Sequence, residues 1–349
     1  MTPRLERKIL RFETEEALEE ALSRPSAADV KALAAFPGDV MILGVGGKMG
    51  PSLARLARRA SDQAGLPRRI LGVSRFSEPG LAESLHQSGI ETLSCDLLDR
   101  AAIAALPEAP HIIFMAARKF GSTGRPSLTW AMNTLVPAMV AERFPRSRLV
   151  SFSTGNVYPL TAVESGGPDE SCPADPVGEY GQSCLGRERL FEYFSETHGT
   201  LVALLRLNYA IEPRYGVLRE IADRVWTGAP VDLAMGHVNV IWQRDAISVA
   251  CRALAHCQSP PLILNLTGPG LLAVRNLAIR FGELLGREPV FTGSEAPTAL
   301  LNNASQCHRL FGPPETSLDE MLEAVAHWVQ IGGRSFGKAT HYEQRAGKF

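Results

Sequence analysis

The stretch Val40 to Gly50, VMILGVGGKMG, constrains this chain more than any other. A short apolar run, Val40-Met41-Ile42-Leu43, breaks into Gly44, Gly47 and Gly50. A helical pattern follows, with Leu53, Leu56, Ala57 and Ala60 on one face and Arg55, Arg58 and Arg59 on the other. Pro51 suits a first helical turn, where its missing N–H costs nothing. The reading is strand, glycine turn, helix. In such a unit the first glycine permits a sharp turn and the second lets backbone approach a pyrophosphate. The third allows close strand–helix packing. The free N–H groups and positive end of the helix then face the anion. The spacing is G-x-x-G-x-x-G, because Met49 stands where the commoner G-x-G-x-x-G has glycine. A dinucleotide site is the expectation, held by Gly44, Gly46, Gly47, Lys48, Met49 and Gly50. The bland alternative is an ordinary tight turn.

Alternation continues beyond this unit. Apolar strands are expected at Ile70–Val73, Glu91–Asp96, His111–Ala117, Leu149–Ser153 and Val202–Leu207, with helical stretches between them. That order predicts an α/β fold, a doubly wound parallel sheet covered on both faces. Ligands in such sheets lie beyond the carboxyl ends of the strands. The second strand ends in Ser74-Arg75, where an acidic residue would usually hold the ribose hydroxyls of NAD. Ser74 has no carboxylate to repel a 2′-phosphate and Arg75 can pair with one, so NADP is favoured over NAD.

With 349 residues, 45% hydrophobic, the chain can bury a large core. The organisation expected is a helical arm over 1–39, with helices at Glu15–Ala21 and Ala27–Ala35, and a dinucleotide-binding domain over 40–210. A mainly substrate-binding region follows over 211–332, with some segments returning to the main sheet, and a tail over 333–349. The second region is expected to hold helices at Tyr215–Thr227, Arg275–Leu285 and Leu318–Gln330 and strands near Val238–Trp242 and Leu262–Leu266. The arm is expected on the outside of the sheet or on a partner subunit. The tail carries Phe336, His341, Tyr342 and Phe349, unusual in a solvated tail, so it is expected to fold back, with Lys338 or His341 able to enter the cleft.

Charge narrows the partners. Lys and Arg total 36 against 37 Asp and Glu, which gives no sign of nucleic acid or an anionic membrane. No run of roughly 18 apolar residues is present to span a membrane. Six scattered cysteines with no C-x-x-C pair read as reduced thiols, and the first residues lack a secretory apolar core, so a cytoplasmic protein is expected. Eight dispersed histidines show no ligand spacing, and no metal site is expected.

Further landmarks follow in order. Asp96-Leu97 follows the third strand and Met115-Ala116-Ala117 the fourth, and Asn133 falls in a helix. Ser153-Thr154-Gly155-Asn156 follows the fifth strand, then Glu179-Tyr180-Gly181-Gln182-Ser183-Cys184, and Asn208-Tyr209 follows the sixth. From about Val40 to Gln330 the chain resembles an extended short-chain dehydrogenase/reductase of the NAD-dependent epimerase/dehydratase family. The resemblance implies that Asp96 contacts the adenine, with Leu97 beside it, that Met115, Ala116 and Ala117 line the cofactor, and that Thr154 and Tyr180 form the catalytic pair with Asn133. It implies a sugar-type substrate, contacted by Arg118, Lys119, Asn156, Asn208, Tyr209 and His237. It also implies a possible homodimer.

One position departs from the family. Its motif is Tyr-x-x-x-Lys, two side chains sharing a helix face at i, i+4. Here Cys184 stands in the lysine's place, among the cofactor-lining residues, and supplies no ammonium to lower the tyrosine pKa. Three explanations remain open. Another cation, Arg118, Lys119 or Arg187, substitutes; the reaction needs a less activated tyrosine; or the protein binds cofactor as a sensor or scaffold without turnover.

Overall fold

Strand positions in this chain are set by short apolar runs, and a parallel sheet is where such runs can be covered on both faces. The computed structural model describes residues 10–119, 121–122 and 124–348. Seven strands form the main sheet: β1 (Val40–Leu43), β2 (Ile70–Ser74), β3 (Glu91–Ser94), β4 (His111–Phe114), β5 (Arg148–Thr154), β6 (Leu201–Leu207) and β7 (Leu262–Leu266). Their order is β7-β6-β5-β4-β1-β2-β3 and all pairings are parallel. The chain winds outward from β1 through β2 to β3, then returns to lay β4 on the other side of β1. That reversal opens a crevice at the carboxyl ends of β1 and β4, where open α/β sheets bind ligands.

The register brings the glycine turn and the β4 exit together. Leu43 is level with both Val73 and Phe114, and the Met115 amide donates to the Leu43 carbonyl at 2.9 Å. β4 ends at Phe114, short of the expected Ala117, because the chain bends there against the glycine turn. Gly44 holds φ +93°, and a Cβ on it would lie 2.7 Å from the Ala116 amide.

Helices cover both faces. On one lie α1 (Glu15–Leu22), α2 (Ala27–Ala34), α3 (Gly50–Gln63) and α6 (Gln243–Ala253). Leu33, Leu53, Leu56 and Ile247 pack there with Val40 and Ile42 of β1. On the other lies α4 (Gly178–His198), whose Phe191 and Phe194 join Met41, Leu43 and Phe114. A third core is built by α5 (Val217–Thr227), α7 (Val274–Leu285) and α8 (Leu318–Gln330). Phe12, Leu18 and Leu22 of the arm enter it, so the arm packs on its own chain and joins the sheet layer to this lobe. Ser26 starts α2 with a reciprocal capping box to Asp29.

Leu262–Leu266 is a segment of the second region that returns to the main sheet, paired to β6 along its whole length. One expectation changes. Val238–Trp242 is not one strand: His237–Val238 pairs with Leu272–Ala273, and Ile241–Trp242 with Ala210–Ile211.

The C-terminal segment folds back on the body. The Phe336 amide donates to the Arg214 carbonyl at 3.0 Å, the Thr340 amide to Glu220 at 2.6 Å, and Arg345 to the Thr298 carbonyl at 2.7 Å. Tyr342 is buried in the third core, and its hydroxyl has no hydrogen-bond partner among the described residues. Phe349 lies outside the described residues. Tyr342→Ala is expected to cost about 3–5 kcal/mol, as for other buried aromatics. Tyr342→Phe removes only an unsatisfied buried hydroxyl and is expected to be neutral or stabilising. Urea unfolding of both variants checks the pair.

Candidate functional site

The glycine turn forms the floor of a cleft at the carboxyl ends of the strands. α3 starts there with Pro51 in its first turn. Gly50 lies so close to β1 that a Cβ would stand 2.1 Å from the Val45 carbonyl oxygen. Gly46 and Gly47 are exposed at the mouth, and a Cβ on Gly47 would meet only the Gly44 carbonyl, at 3.4 Å. The helix N-terminus therefore presents open backbone to the cleft, which fits a pyrophosphate. Met115, Ala117 and Met49 give the cleft apolar wall.

Thr154 and Tyr180 both line it. Thr154 is the last residue of β5, and Tyr180 stands in the first turn of α4. The buried face of α4 carries Tyr180, Cys184, Arg187, Glu188 and Phe191, the i, i+4, i+7, i+8, i+11 stripe of a helix packed on a sheet. The side chains of Thr154 and Cys184 adjoin the Tyr180 hydroxyl, and Thr154 Oγ1 accepts from the Asn156 amide at 3.2 Å and from Asn156 Nδ2 at 3.0 Å. Burial drives the phenol pKa well above its ordinary value; the neighbouring Cys184 adds to this, and Arg187 and Thr154 oppose it. The Cys184 thiol, fully enclosed, is likewise pushed up by burial. Tyr180 is thus a neutral phenol at neutral pH, suited to giving a proton.

Arg187 and Asn133 form the floor beneath Tyr180. Arg187 donates to the Phe152 carbonyl at 2.6 Å and to Asn133 Oδ1 at 3.0 Å. Asn133 lies in a π-helical turn, Ala131–Leu135. Its Oδ1 also accepts from the Arg118 amide at 2.9 Å, and its Nδ2 donates to the Arg118 carbonyl at 3.1 Å and Ser183 Oγ at 3.0 Å. Asn133 is completely buried and so ties α4 to the β4 exit rather than facing the cleft.

A buried ion pair holds this wall to the sheet. Glu188 of α4 accepts from Arg206 of β6 at 2.7 Å and from Ser153 Oγ of β5 at 2.5 Å. Arg206 also donates to Tyr158 Oη at 2.7 Å, which donates to Asn265 of β7 at 3.0 Å.

Three lysines reach the cleft. Lys119 Nζ lies 5.9 Å from the ring centres of both Tyr180 and Tyr209 and donates to the Thr340 carbonyl at 3.1 Å. Lys48 Nζ stands 3.0 Å from the Tyr215 ring centre. Lys338 comes from the C-terminal segment, whereas His341 does not line the cleft. Burial lowers the Lys119 pKa to about 8, and burial with repulsion from Lys119 and Lys338 lowers that of Lys48 to about 6.

Of the other residues singled out in the sequence, Asn156, Asn208 and Tyr209 line the cleft. Tyr209 holds a left-handed backbone, φ +45°, a strained conformation found preferentially at functional sites. Arg118 turns its guanidinium toward the Gly121 carbonyl, at 3.4 Å. Ser74 and exposed Arg75 end β2, Asp96 is exposed and accepts the Leu98 amide at 3.0 Å, and Leu97 is buried. Ala116 is buried against Gly44. His237 is in the small pairing with Leu272–Ala273, outside the cleft lining. Tyr215, Gln243 and Thr340 line the cleft with no sequence signal pointing to them. Among the described residues no cluster of three or more His, Cys, Asp or Glu is placed to hold a metal ion, and no helix is long and apolar enough to cross a membrane.

No protein-family model and no curated protein sequence matches the chain. Solved structures do. The UDP-glucose 4-epimerase of Thermotoga maritima, solved with UDP-glucose, superposes with TM-score 0.69 at 15% identity, over 84% of this chain and 99% of that one. An epimerase from Methanothermobacter thermautotrophicus gives 0.71 at 17% identity, over 87% and 96%. The dTDP-glucose 4,6-dehydratase of Streptomyces venezuelae, solved with NAD, gives 0.71 at 18%, over 84% and 97%. At these identities the likeness is one of fold: the chain is a Rossmann-type α/β protein of the architecture those enzymes share.

The Glu188–Arg206 pair generates a stability prediction. Glu188→Ala and Arg206→Ala each strand a buried charge and are expected to cost about 3–5 kcal/mol. The double variant is expected to cost less than their sum. Denaturant unfolding of all three measures the coupling.

Proposed function

We propose that this chain is an NAD(P)-dependent oxidoreductase or epimerase of the extended short-chain dehydrogenase/reductase type, acting on a hydroxyl or keto carbon of a sugar or sugar derivative. The observation that carries the reading is one cleft lined both by the glycine turn at a helix N-terminus and by the side chains of Thr154 and Tyr180. The solved structures of like fold support a sugar-nucleotide substrate.

The backbone of the glycine turn would hold the dinucleotide's pyrophosphate, with Met115 and Ala117 along its length. The nicotinamide, when bound, supplies or accepts hydride. Thr154 hydrogen-bonds the substrate oxygen and holds it in line with Tyr180. Tyr180 gives its proton to that oxygen as a carbonyl is reduced, and takes one back as a hydroxyl is oxidised. Its raised pKa keeps the proton on Tyr180 at neutral pH for the first direction, while making the phenol a weaker acid. In the second, the proton must pass to a phenolate stabilised by Arg187 and Thr154, with Lys119 5.9 Å from the ring centre. Arg187 stays charged at any working pH.

A second reading, a dinucleotide-binding protein without turnover, is favoured by one observation: Cys184 takes the place of the motif lysine and raises the Tyr180 pKa.

Tyr180→Phe is expected to lower turnover by about 10²–10⁴-fold while leaving dinucleotide affinity nearly unchanged. Hydroxyl oxidation by wild type should rise toward alkaline pH, because the base form of a phenol with a raised pKa grows only there; carbonyl reduction should stay level through neutrality. Stopped-flow traces of cofactor absorbance with candidate nucleotide sugars test both. A fully active Tyr180→Phe enzyme sinks the mechanism. An inert wild type made active by Cys184→Lys favours the second reading.

We also infer a preference for NADP(H), from Ser74 and the exposed Arg75 at the end of β2. One charged hydrogen bond to the 2′-phosphate corresponds to roughly 1.5–3 kcal/mol, or about ten- to a hundred-fold in affinity. Calorimetric titration should find NADPH the tighter ligand, with the difference abolished in Arg75→Ala. Equal or tighter NADH binding overturns the preference.

A further inference from the structure

The C-terminal segment, residues 334–348, walls one side of the cleft. Near its start the Phe336 amide donates to the Arg214 carbonyl, and Arg334 pairs with Glu15 at 3.5 Å. Near its end Arg345 donates to the Thr298 carbonyl at 2.7 Å and to the Ala234 carbonyl at 3.2 Å. Gly347 then meets the chain where α4 begins. A Cβ on Gly347, at φ +64°, would lie 2.3 Å from the Val177 carbonyl oxygen, and one on Gly178, at φ +78°, would lie 2.5 Å from the Gly347 carbonyl oxygen. Glycine at both positions permits this approach. Between these ends Lys338 and Ala339 are exposed, whereas Thr340 is buried and lines the cleft. The wall is therefore one chain thick, with solvent outside and Tyr209, Ala210 and Tyr215 inside.

We propose that this segment is a lid over the half of the cleft lined by Tyr209, Ala210 and Tyr215, latched where Gly347 meets Gly178 and lifting to admit a ligand. The middle of the segment carries the cost of closure. His341 holds a left-handed backbone, φ +55°, unusual for a residue with a Cβ. The next two residues bury polar atoms with no hydrogen-bond partner among the described residues, the Tyr342 hydroxyl and Glu343 Oε2. Each gives up solvation on closing and regains no hydrogen bond. Opposing these costs, the Thr340 amide donates to Glu220 at 2.6 Å, Lys119 donates to the Thr340 carbonyl at 3.1 Å, and the Tyr342 ring is buried in the third core. Residues 334–348 contain no helix or strand, so lifting them breaks no helical or sheet ladder. Favourable apolar burial is thus set against strain and unpaired polar atoms, the balance of a segment that opens locally while the rest of the fold stays intact.

The inference rests on the proposed function only in making this the substrate half of the cleft, and the lid itself is tested without a ligand. In the full chain, Ala210→Cys places a thiol behind the segment and Ala117→Cys places one at an exposed position in the other half. Labelling by dithiobis(nitrobenzoate) is followed at about pH 8, where thiolate is plentiful. Wild type is the blank, its native thiols buried except the half-buried Cys172. Ala210→Cys is expected to label about tenfold or more slowly than Ala117→Cys. Added to Ala210→Cys, Gly347→Ala and Arg345→Ala each loosen the latch and should speed labelling about tenfold. Tyr342→Phe removes an unpaired buried hydroxyl and should slow it about fivefold. None of the three should alter labelling of Ala117→Cys, and circular dichroism checks that each variant is folded. An Ala210→Cys rate equal to that of Ala117→Cys, or unmoved by all three substitutions, overturns the lid. Equal acceleration at both positions signals general loosening and also overturns it. NADP and NAD are added in parallel runs, where protection of Ala117→Cys is expected. If neither dinucleotide protects it, the nucleotide reading of the cleft fails, and the Ala210→Cys rates still decide the lid.

Discussion

The candidate site depends on one buried ion pair. Glu188 is wholly enclosed and Arg206 nearly so, and a carboxylate in that position is tolerable only with its lone pairs filled. Arg206 and Ser153 fill them, Tyr158 occupies a further guanidinium donor, and Asn265 takes the Tyr158 hydroxyl. Asn265 in turn donates to the Pro168 and Asn303 carbonyls. The network thus runs from α4 through β5 and β6 to β7. A polar network satisfied at every member admits few alternative arrangements. Thr154 and Tyr180 sit at the cleft ends of two elements locked together by it.

With that frame fixed, the missing lysine becomes a local electrostatic question. Cys184 fills the space below Tyr180 with a thiol that itself resists ionisation. Arg187, one turn further along α4, brings its charge near the same phenol and donates to Phe152 and Asn133, with its Nε unpartnered among the described residues. Lys119 approaches from the opposite side, held by the C-terminal segment. The cations near the phenol are therefore anchored to protein groups. They stabilise negative charge through space, without the direct reach to a ribose that the family's lysine has.

Arg214 plays the corresponding part for the chain ends. Its guanidinium meets Glu212, Glu19 and Glu15, and its carbonyl accepts the Phe336 amide. The Phe336 ring lies 4.8 Å from the same guanidinium. One side chain thus joins the arm, the turn after β6 and the C-terminal segment. The burial of Glu212 among them lifts its pKa to about 7 despite the arginine.

The sequence by itself determined six strands of the sheet and the glycine turn, and a family resemblance named Thr154 and Tyr180. These are local signals: apolar runs of strand length, glycines where a Cβ would strike Ala116 or Val45, and an i, i+4 helical stripe that puts Tyr180 and Cys184 on one face. It also marked the C-terminal aromatics as too apolar for solvent, and Tyr342 is buried. Tertiary structure alone decided which cation faces the phenol, because Arg118, Lys119 and Arg187 are all close in sequence to the site and only packing turns Arg118 away. It alone placed Leu262–Leu266 in the main sheet, since an apolar strand does not encode its neighbour. It alone brought Lys338 beside Lys48, residues 290 positions apart whose meeting depends on where a tail with no regular secondary structure finds hydrogen-bond partners.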